Sequence, residues 1–231
     1  TPGDATYLDG NSLGLYGEDA AETLQRAVDQ WRDLGIEAWT EADPPWFDYG
    51  ELLGDRHAGI LGAKPGECVA ANSTTVNIHT LVGGFLDAAD GTEVVVNELD
   101  FPTDHYAIRA QLEARGLDPE EHLVVAESED GRTITPDAVA DAVGEDTAIV
   151  FMPSVLYRSG QLLDIETIAD IAHEHGAYAG FDLAHSVGVV DHALHRADVD
   201  FAVWCSYKYL NAGPGAVAGL FVHEDNDDVD P

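Results

Sequence analysis

Between about Gly17 and Leu61 apolar residues recur at helical spacing, with Leu24, Val28, Trp31 and Leu34 on one face. This predicts an N-terminal helical layer, interrupted by the turn Asp43-Pro44-Pro45. Farther along, short β-branched runs take over, at 94–96, 123–125, 148–151, 177–181 and 201–204. Helical patterns fall between them, at 104–115, 136–143 and 165–175. The short runs are apolar on both faces, so they are expected in a mostly parallel sheet covered by helices on both sides. The fold class is therefore α/β, and ligands in such folds sit at the carboxyl ends of the strands.

Composition sharpens this picture mainly through charge. The chain of 231 residues carries 44 acids against 10 bases, a formal charge of -34, while 45% of its residues are hydrophobic. Such a surface repels polyanions, so neither nucleic acid nor an anionic membrane is an expected partner. The periodic apolar segments separate it from an acidic disordered chain. Proteins of salt-adapted cytoplasm look like this, with acids in place of surface lysines, and only Lys64 and Lys208 remain here. Cys68 and Cys205 stand far apart without metal-ligand spacing, so neither a disulfide framework nor a metal site is expected, and a reducing cytoplasm fits. The start TPGDATYLDG lacks a signal-peptide pattern and no apolar run approaches the roughly 20 residues of a membrane span, which reads as a soluble protein. Thr1 is not an initiator methionine, and the sequence stops in the acidic run EDNDDVDP, expected to be a solvated end.

Against that lysine-poor background Lys208 stands out. It follows the apolar strand 201–204 and precedes a glycine-rich turn, in Cys205-Ser206-Tyr207-Lys208-Tyr209-Leu210-Asn211-Ala212-Gly213-Pro214-Gly215. An amine between aromatic and small residues is partly desolvated and available to a carbonyl; the blander reading is a surface lysine. Asp182 ends another strand, where its carboxylate faces the same rim. The run Ala71-Asn72-Ser73-Thr74-Thr75-Val76-Asn77 opens an apolar helix and suits a phosphate, although plain N-capping explains Ser73 and Thr74 equally well. In Phe101-Pro102-Thr103-Asp104-His105-Tyr106 the ring of Phe101 is placed to stack on a ligand, or merely to staple a helix.

Taken together, YLDGNSLGL at 7–15, STTVN at 73–77, FPTDHYAI at 101–108, FDLAHSVG at 181–188 and VDFAVWCSYKYLNAGPG at 199–215 resemble the kynureninase family. The resemblance runs over nearly the whole chain, and its last segment is the most specific. It implies a pyridoxal-phosphate enzyme of the aspartate-aminotransferase-like fold, a homodimer in that family, which hydrolyses L-kynurenine to anthranilate and L-alanine. By motif position Lys208 becomes the Schiff-base lysine, Asp182 the partner of the pyridine nitrogen and Phe101 the stacking ring. Thr74 and Thr75, with Tyr207, would hold the cofactor phosphate; Asp104 and His185 would make further cofactor contacts. Asn11 and Ser12 fall in the family's N-terminal active-site loop. Lys208 would also move the substrate Cα proton, and Tyr207 would be either a proton donor to the product carbanion or a phosphate ligand only.

The resemblance divides the chain into an N-terminal helical segment with the active-site loop (1–62), a cofactor-binding large domain (63–223) and an acidic tail (224–231). It also marks two departures. Pro153 stands where the family commonly has Ser or Thr, so a hydrogen bond is lost or passed to Ser154. The family continues past Gly219-Leu220-Phe221-Val222 into a C-terminal domain with the substrate-carboxylate arginine, for which Arg109, Arg115 and Arg158 have no motif reason to substitute. Two rival readings remain: a cysteine-desulfurase-like lyase, which needs a mobile cysteine, and a non-catalytic subunit that keeps the cofactor fold.

Overall fold

A computed structural model describes residues 5–227 and residue 229. Its strands are β1 (Cys68–Ala70), β2 (Glu93–Asn97), β3 (Leu123–Ala126), β4 (Thr147–Pro153), β5 (Tyr178–Asp182), β6 (Phe201–Trp204) and β7 (Gly219–Val222). They form one sheet in the order β1-β7-β6-β5-β4-β2-β3. Only β7 runs against its neighbours β1 and β6; the other pairings are parallel. The α/β class and the mostly parallel sheet expected from the alternating patterns are what the chain adopts.

The helices are α1 (Glu18–Leu34), α2 (Ala38–Glu41), α3 (Tyr49–Leu61), α4 (Thr74–Ala88), α5 (Pro102–Ala114), α6 (Pro119–His122), α7 (Pro136–Ala142) and α8 (Ile165–Glu174). Their starts are written locally. Ser73, Asp118, Thr135 and Asp164 each cap a helix by accepting a backbone amide of its first turn, each cap contributing about 1 kcal/mol. Proline opens α5, α6 and α7, where its missing N–H costs nothing.

Alternation along the strands sorts side chains into two cores. Val94, Val96, Ile149, Phe151, Phe201 and Val203 face α4 and α5. Val95, Val150, Met152, Phe181, Ala202 and Trp204 face the other layer, with Leu61, Val139 and Ile168. Phe201 stacks on Phe85 at 4.5 Å between centroids, and full burial of such a ring contributes about 1.5–3 kcal/mol. Gly180 leaves the space that the Phe201 ring crosses.

One expectation needs correction. Helix α3 does cover the sheet: Gly54 lies on the backbone of β1, and Ala58 and Leu61 are buried. Helix α1 buries no residue, and Leu24 and Trp31 on its apolar stripe are each 68% exposed. The period is right, but within this chain the stripe has no surface to lie on. Glu224, Asp225 and Asp227 of the acidic end are exposed, as a solvated end should be, while a few contacts hold it to the sheet. Glu224 pairs with Lys64, its N–H donates to Glu67 (3.1 Å), and Asn226 Nδ2 donates to Asp200 (2.8 Å). Residues 228, 230 and 231 of that run lie outside the described residues.

Candidate active site

Because β1, β2, β4, β5 and β6 run parallel, their carboxyl ends deliver five loops to one rim of the sheet. β6 leads into Lys208, which is half-buried. Its ammonium, a donor only, donates to His185 Nε2 at 2.8 Å and lies 6.0 Å from the centre of the Phe101 ring. Burial, with the Lys208 charge, pushes the His185 imidazole down to about 4, so it is a neutral acceptor. Phe101 meets Tyr157 edge-on at 5.3 Å, and Tyr157 lies 6.3 Å from the His185 ring. An aromatic wall therefore stands beside the amine.

β5 ends in Asp182, which is 7% exposed and accepts the Ala184 amide at 2.7 Å. Burial raises its carboxyl, against the pull of that amide and of Lys208. Asp104, in the first turn of α5, is 1% exposed and is held well above the usual carboxylate range by burial and by the neighbouring Asp182 and Asp100. Asp100, just before that helix, is pushed up to about 8 by burial and by Asp182. One carboxyl oxygen on each of Asp100 and Asp104 has no donor, which costs about 1–3 kcal/mol for a buried group. The rim thus holds an amine beside a buried acid cluster poor in donors, a setting that a flat, cationic aromatic group fits.

β1 leads into α4, whose first two residues are Thr74 and Thr75, placing their backbone amides at the same rim. Buried Asn77 fixes this turn, donating to the Ala71 (3.1 Å) and Gly219 (3.3 Å) carbonyls and accepting from Asn72 (3.1 Å). Asn11 and Ser12 lie in a loop docked on the lysine segment: Gly14 N donates to the Tyr207 carbonyl (2.7 Å) and Leu15 N to Asn211 Oδ1 (2.8 Å). Gly14 is required there, since an added Cβ would fall against the Lys208 carbonyl and the Asn211 backbone. Burial, with the neighbouring Cys205 thiol, pushes the Tyr207 phenol up to about 12.

Pro153 pairs with Asp182 in register, and Ser154 donates both its N–H (2.9 Å) and its hydroxyl (3.2 Å) to the Asp182 carbonyl. The Ser154 hydroxyl also meets Ser186 Oγ at 2.6 Å, and Ser186 meets His192 at 2.8 Å. The hydroxyl next to Pro153 thus braces the strand end that carries Asp182. Asp100 and Tyr157 escaped the sequence reading. Asp100 lies three residues beyond the end of β2, so the strand-end position that singled out Asp182 did not mark it; for Tyr157 there was no signal beyond its neighbourhood to Ser159-Gly160-Gln161.

Away from the rim, Glu67, His195 and His223 bring possible metal ligands together. The two imidazoles are stacked, 4.4 Å apart and 4° from parallel, so their in-plane lone pairs do not converge on one point. His195 Nδ1 instead bonds Glu67 at 2.8 Å. No helix among the described residues is long and apolar enough to cross a membrane.

Residues 55–228 match the model of the aminotransferase class-V family. Kynureninase of Bacillus anthracis is 48% identical over 219 residues, covering 94% of this chain and 51% of that protein. Kynureninase of Geobacillus thermodenitrificans is 47% identical over 223 residues, covering 96% of this chain and 52% of its own length. The chain therefore spans about half the length of the curated relatives it matches. Among solved structures, a C-DES mutant with glycine covalently linked to its PLP cofactor superposes with a TM-score of 0.83 at 18% identity, covering 98% of this chain and 58% of that one. The apo cysteine desulfurase of Thermococcus onnurineus gives 0.80 at 19% identity, covering 98% and 55%. These last two establish shared fold alone. With the family model matched from α3 to the far side of β7, the chain belongs to the class-V aminotransferases.

Proposed function

We propose that this chain is the cofactor-holding part of a kynureninase, which cleaves L-kynurenine, or its 3-hydroxy derivative, with water to give anthranilate and L-alanine. The observation that carries the reading is Lys208 on a neutral His185 beside buried Asp182, in a chain 46–49% identical to kynureninases. Bound at this rim, pyridoxal phosphate supplies an electron sink for negative charge developing at the substrate Cα. Lys208 would hold it and would carry the proton of the substrate Cα. Asp182 would keep a positive charge on the ring nitrogen, and Phe101 would pack against the ring. The N-terminus of α4, with Thr74 and Thr75, takes the phosphate, and the loop carrying Asn11 and Ser12 borders the substrate. His185 fixes the lysine amine, and Asp104 adds to the acid cluster. Tyr207 contributes either a phosphate contact or a proton for the leaving alanyl carbon.

The desulfurase-like alternative is disfavoured by its own requirement for a mobile thiolate. Cys68 and Cys205 are both buried, Cys68 is pushed up to about 12 by burial, and Cys205 is raised by the same cause. A reducing, salt-rich cytoplasm, a role in tryptophan breakdown and NAD synthesis, and a homodimeric assembly complete the reading. The exposed apolar stripe of α1 supports an assembly in which it is covered. The test has two arms. With pyridoxal phosphate in molar salt, the chain should show a visible band of lysine-bound cofactor that Lys208→Ala abolishes. A form carrying the remaining length of the relatives should release anthranilate from kynurenine. An unchanged band in the variant, or release of persulfide from cysteine in place of anthranilate, would overturn the proposal.

A further inference from the structure

We propose that Asp100 and Asp104 share one proton between their side chains, and that Asp100 is thereby a positioning residue for the acid cluster that ends in Asp182. The two residues bracket the turn from β2 into α5. Asp100 N reaches the Asn97 carbonyl at 3.4 Å and Asp104 N donates to the Phe101 carbonyl at 3.0 Å. This turn sets the two carboxyls four positions apart at the entry to α5, close enough that each acts on the titration of the other. Both are shut off from water, at 7% and 1% exposure. Asp100 Oδ1 accepts the Phe101 amide at 2.9 Å, whereas Oδ2 of Asp100 and Oδ2 of Asp104 have no donor. Ionised carboxylates only accept, so two of them cannot satisfy each other, whereas a protonated carboxyl donates. A single proton between the pair supplies the missing donor and turns two buried charges into one.

The charged surroundings favour that state. Asp182 faces the pair from the end of β5, and its charge opposes ionisation of both. Lys208, from the segment after β6, is the cation that acts on Asp104 and Asp182, and it is engaged by His185. On the α5 side, His105 Nε2 is turned to the Asn97 carbonyl, 2.9 Å away. One cation thus stands against three buried acids. Asp182 has the Ala184 amide, Lys208 and Asp104 as a hydrogen-bonding neighbour to favour its ionised form, so with a proton held on the Asp100–Asp104 pair it is the member left to carry a full charge. The consequence for Asp182 rests on the cofactor reading above; the shared proton does not.

The experiment is an NMR titration of isotope-labelled aspartate carboxyls in the cofactor-free chain in molar salt, with the visible cofactor band measured separately. At neutral pH one carboxyl of the Asp100–Asp104 pair should remain protonated. Asp100→Asn, whose amide donates in place of the proton, should bind one proton fewer and let Asp104 ionise at lower pH than in the unsubstituted chain; Asp104→Asn should do the same for Asp100. Finding both carboxyls ionised at neutral pH in the unsubstituted chain, or Asp104 unmoved in Asp100→Asn, would overturn the inference. The titration of the unsubstituted chain decides even if a variant does not fold. Ordinary titration with the cofactor band intact sinks this inference alone, whereas a shared proton with no band sinks the cofactor reading alone.

Discussion

At Asp100 the residue chemistry has a measurable thermodynamic consequence. An ordinary aspartate titrates near 4 in an unfolded chain, but burial and Asp182 lift Asp100 to about 8 in the fold. Between those values the folded chain holds a proton that the unfolded chain has released, so this contribution to stability is full at the acid end and is lost as the pH rises through 8. Relative to Asp100→Asn, the cofactor-free chain should therefore lose denaturation midpoint between about pH 4 and pH 8; parallel profiles of the two proteins would contradict it. Lowered histidines such as His57, His185 and His192 act in the opposite direction, which is why the comparison is between two chains and not along one profile. Asp182 has a different signature. In a form with the relatives' full length, Asp182→Ala should retain the visible cofactor band but lose roughly 10²-fold or more in turnover, the scale of removing one preorganised charge partner. Near-normal turnover would show that this carboxyl serves the fold.

Elements matter here because the reactive residues sit on their ends. The loop with Asn11 and Ser12 depends on Gly14, where a Cβ would approach the Asn211 Cα at 2.8 Å. Gly14→Ala should push the loop off the lysine segment at a cost of about 1–3 kcal/mol. Faster backbone amide exchange at Gly14 and Leu15, with little change in the exchange of β4, would be the mark of that release; unchanged exchange at both residues would count against it. How far such elements were legible depended on what holds them. The central parallel strands announce themselves because both faces are buried, as in Ile149-Val150-Phe151-Met152, all inaccessible to solvent. β1 and β7 do not: they have three and four residues, and they lie together at one side of the sheet through pairing that no local pattern encodes. Lys208, Asp182 and Phe101 were legible because each follows an apolar strand. Asp100 was not, since its importance comes from a carboxyl four residues on and another contributed by β5, which only the folded rim brings together.

At the scale of the whole molecule, charge dominates. With 44 acids against 10 bases, like charges crowd the surface, and the ion pairs among the described residues offset little of this. Arg32 with Asp29 and Asp33, and Lys64 with Glu224, are exposed pairs of the kind that contribute about 0–1 kcal/mol. Arg115 is better placed, bonding Asp87 with two nitrogens and the Gly83 carbonyl besides, yet it neutralises one acid on a chain of formal charge -34. Self-repulsion of this kind falls as the Debye length shrinks, from about 10 Å at 0.1 M salt to about 3 Å at 1 M. The apolar stripe of α1 adds a second dependence, because salts that are excluded from protein surface strengthen burial of any partner face. The two are separable by choice of salt. Sodium chloride and potassium chloride screen charge with little exclusion, so melting temperature should climb steeply over the first few tenths molar and then level off. Sulfate at matched ionic strength should keep raising it beyond that plateau and should favour association through α1. Replacing Leu24 and Trp31 with polar residues should remove the sulfate-specific increment and leave the chloride curve in place. Equal melting temperatures in dilute and molar chloride would show instead that the acids are spaced or counter-charged well enough for the fold to stand without added ions.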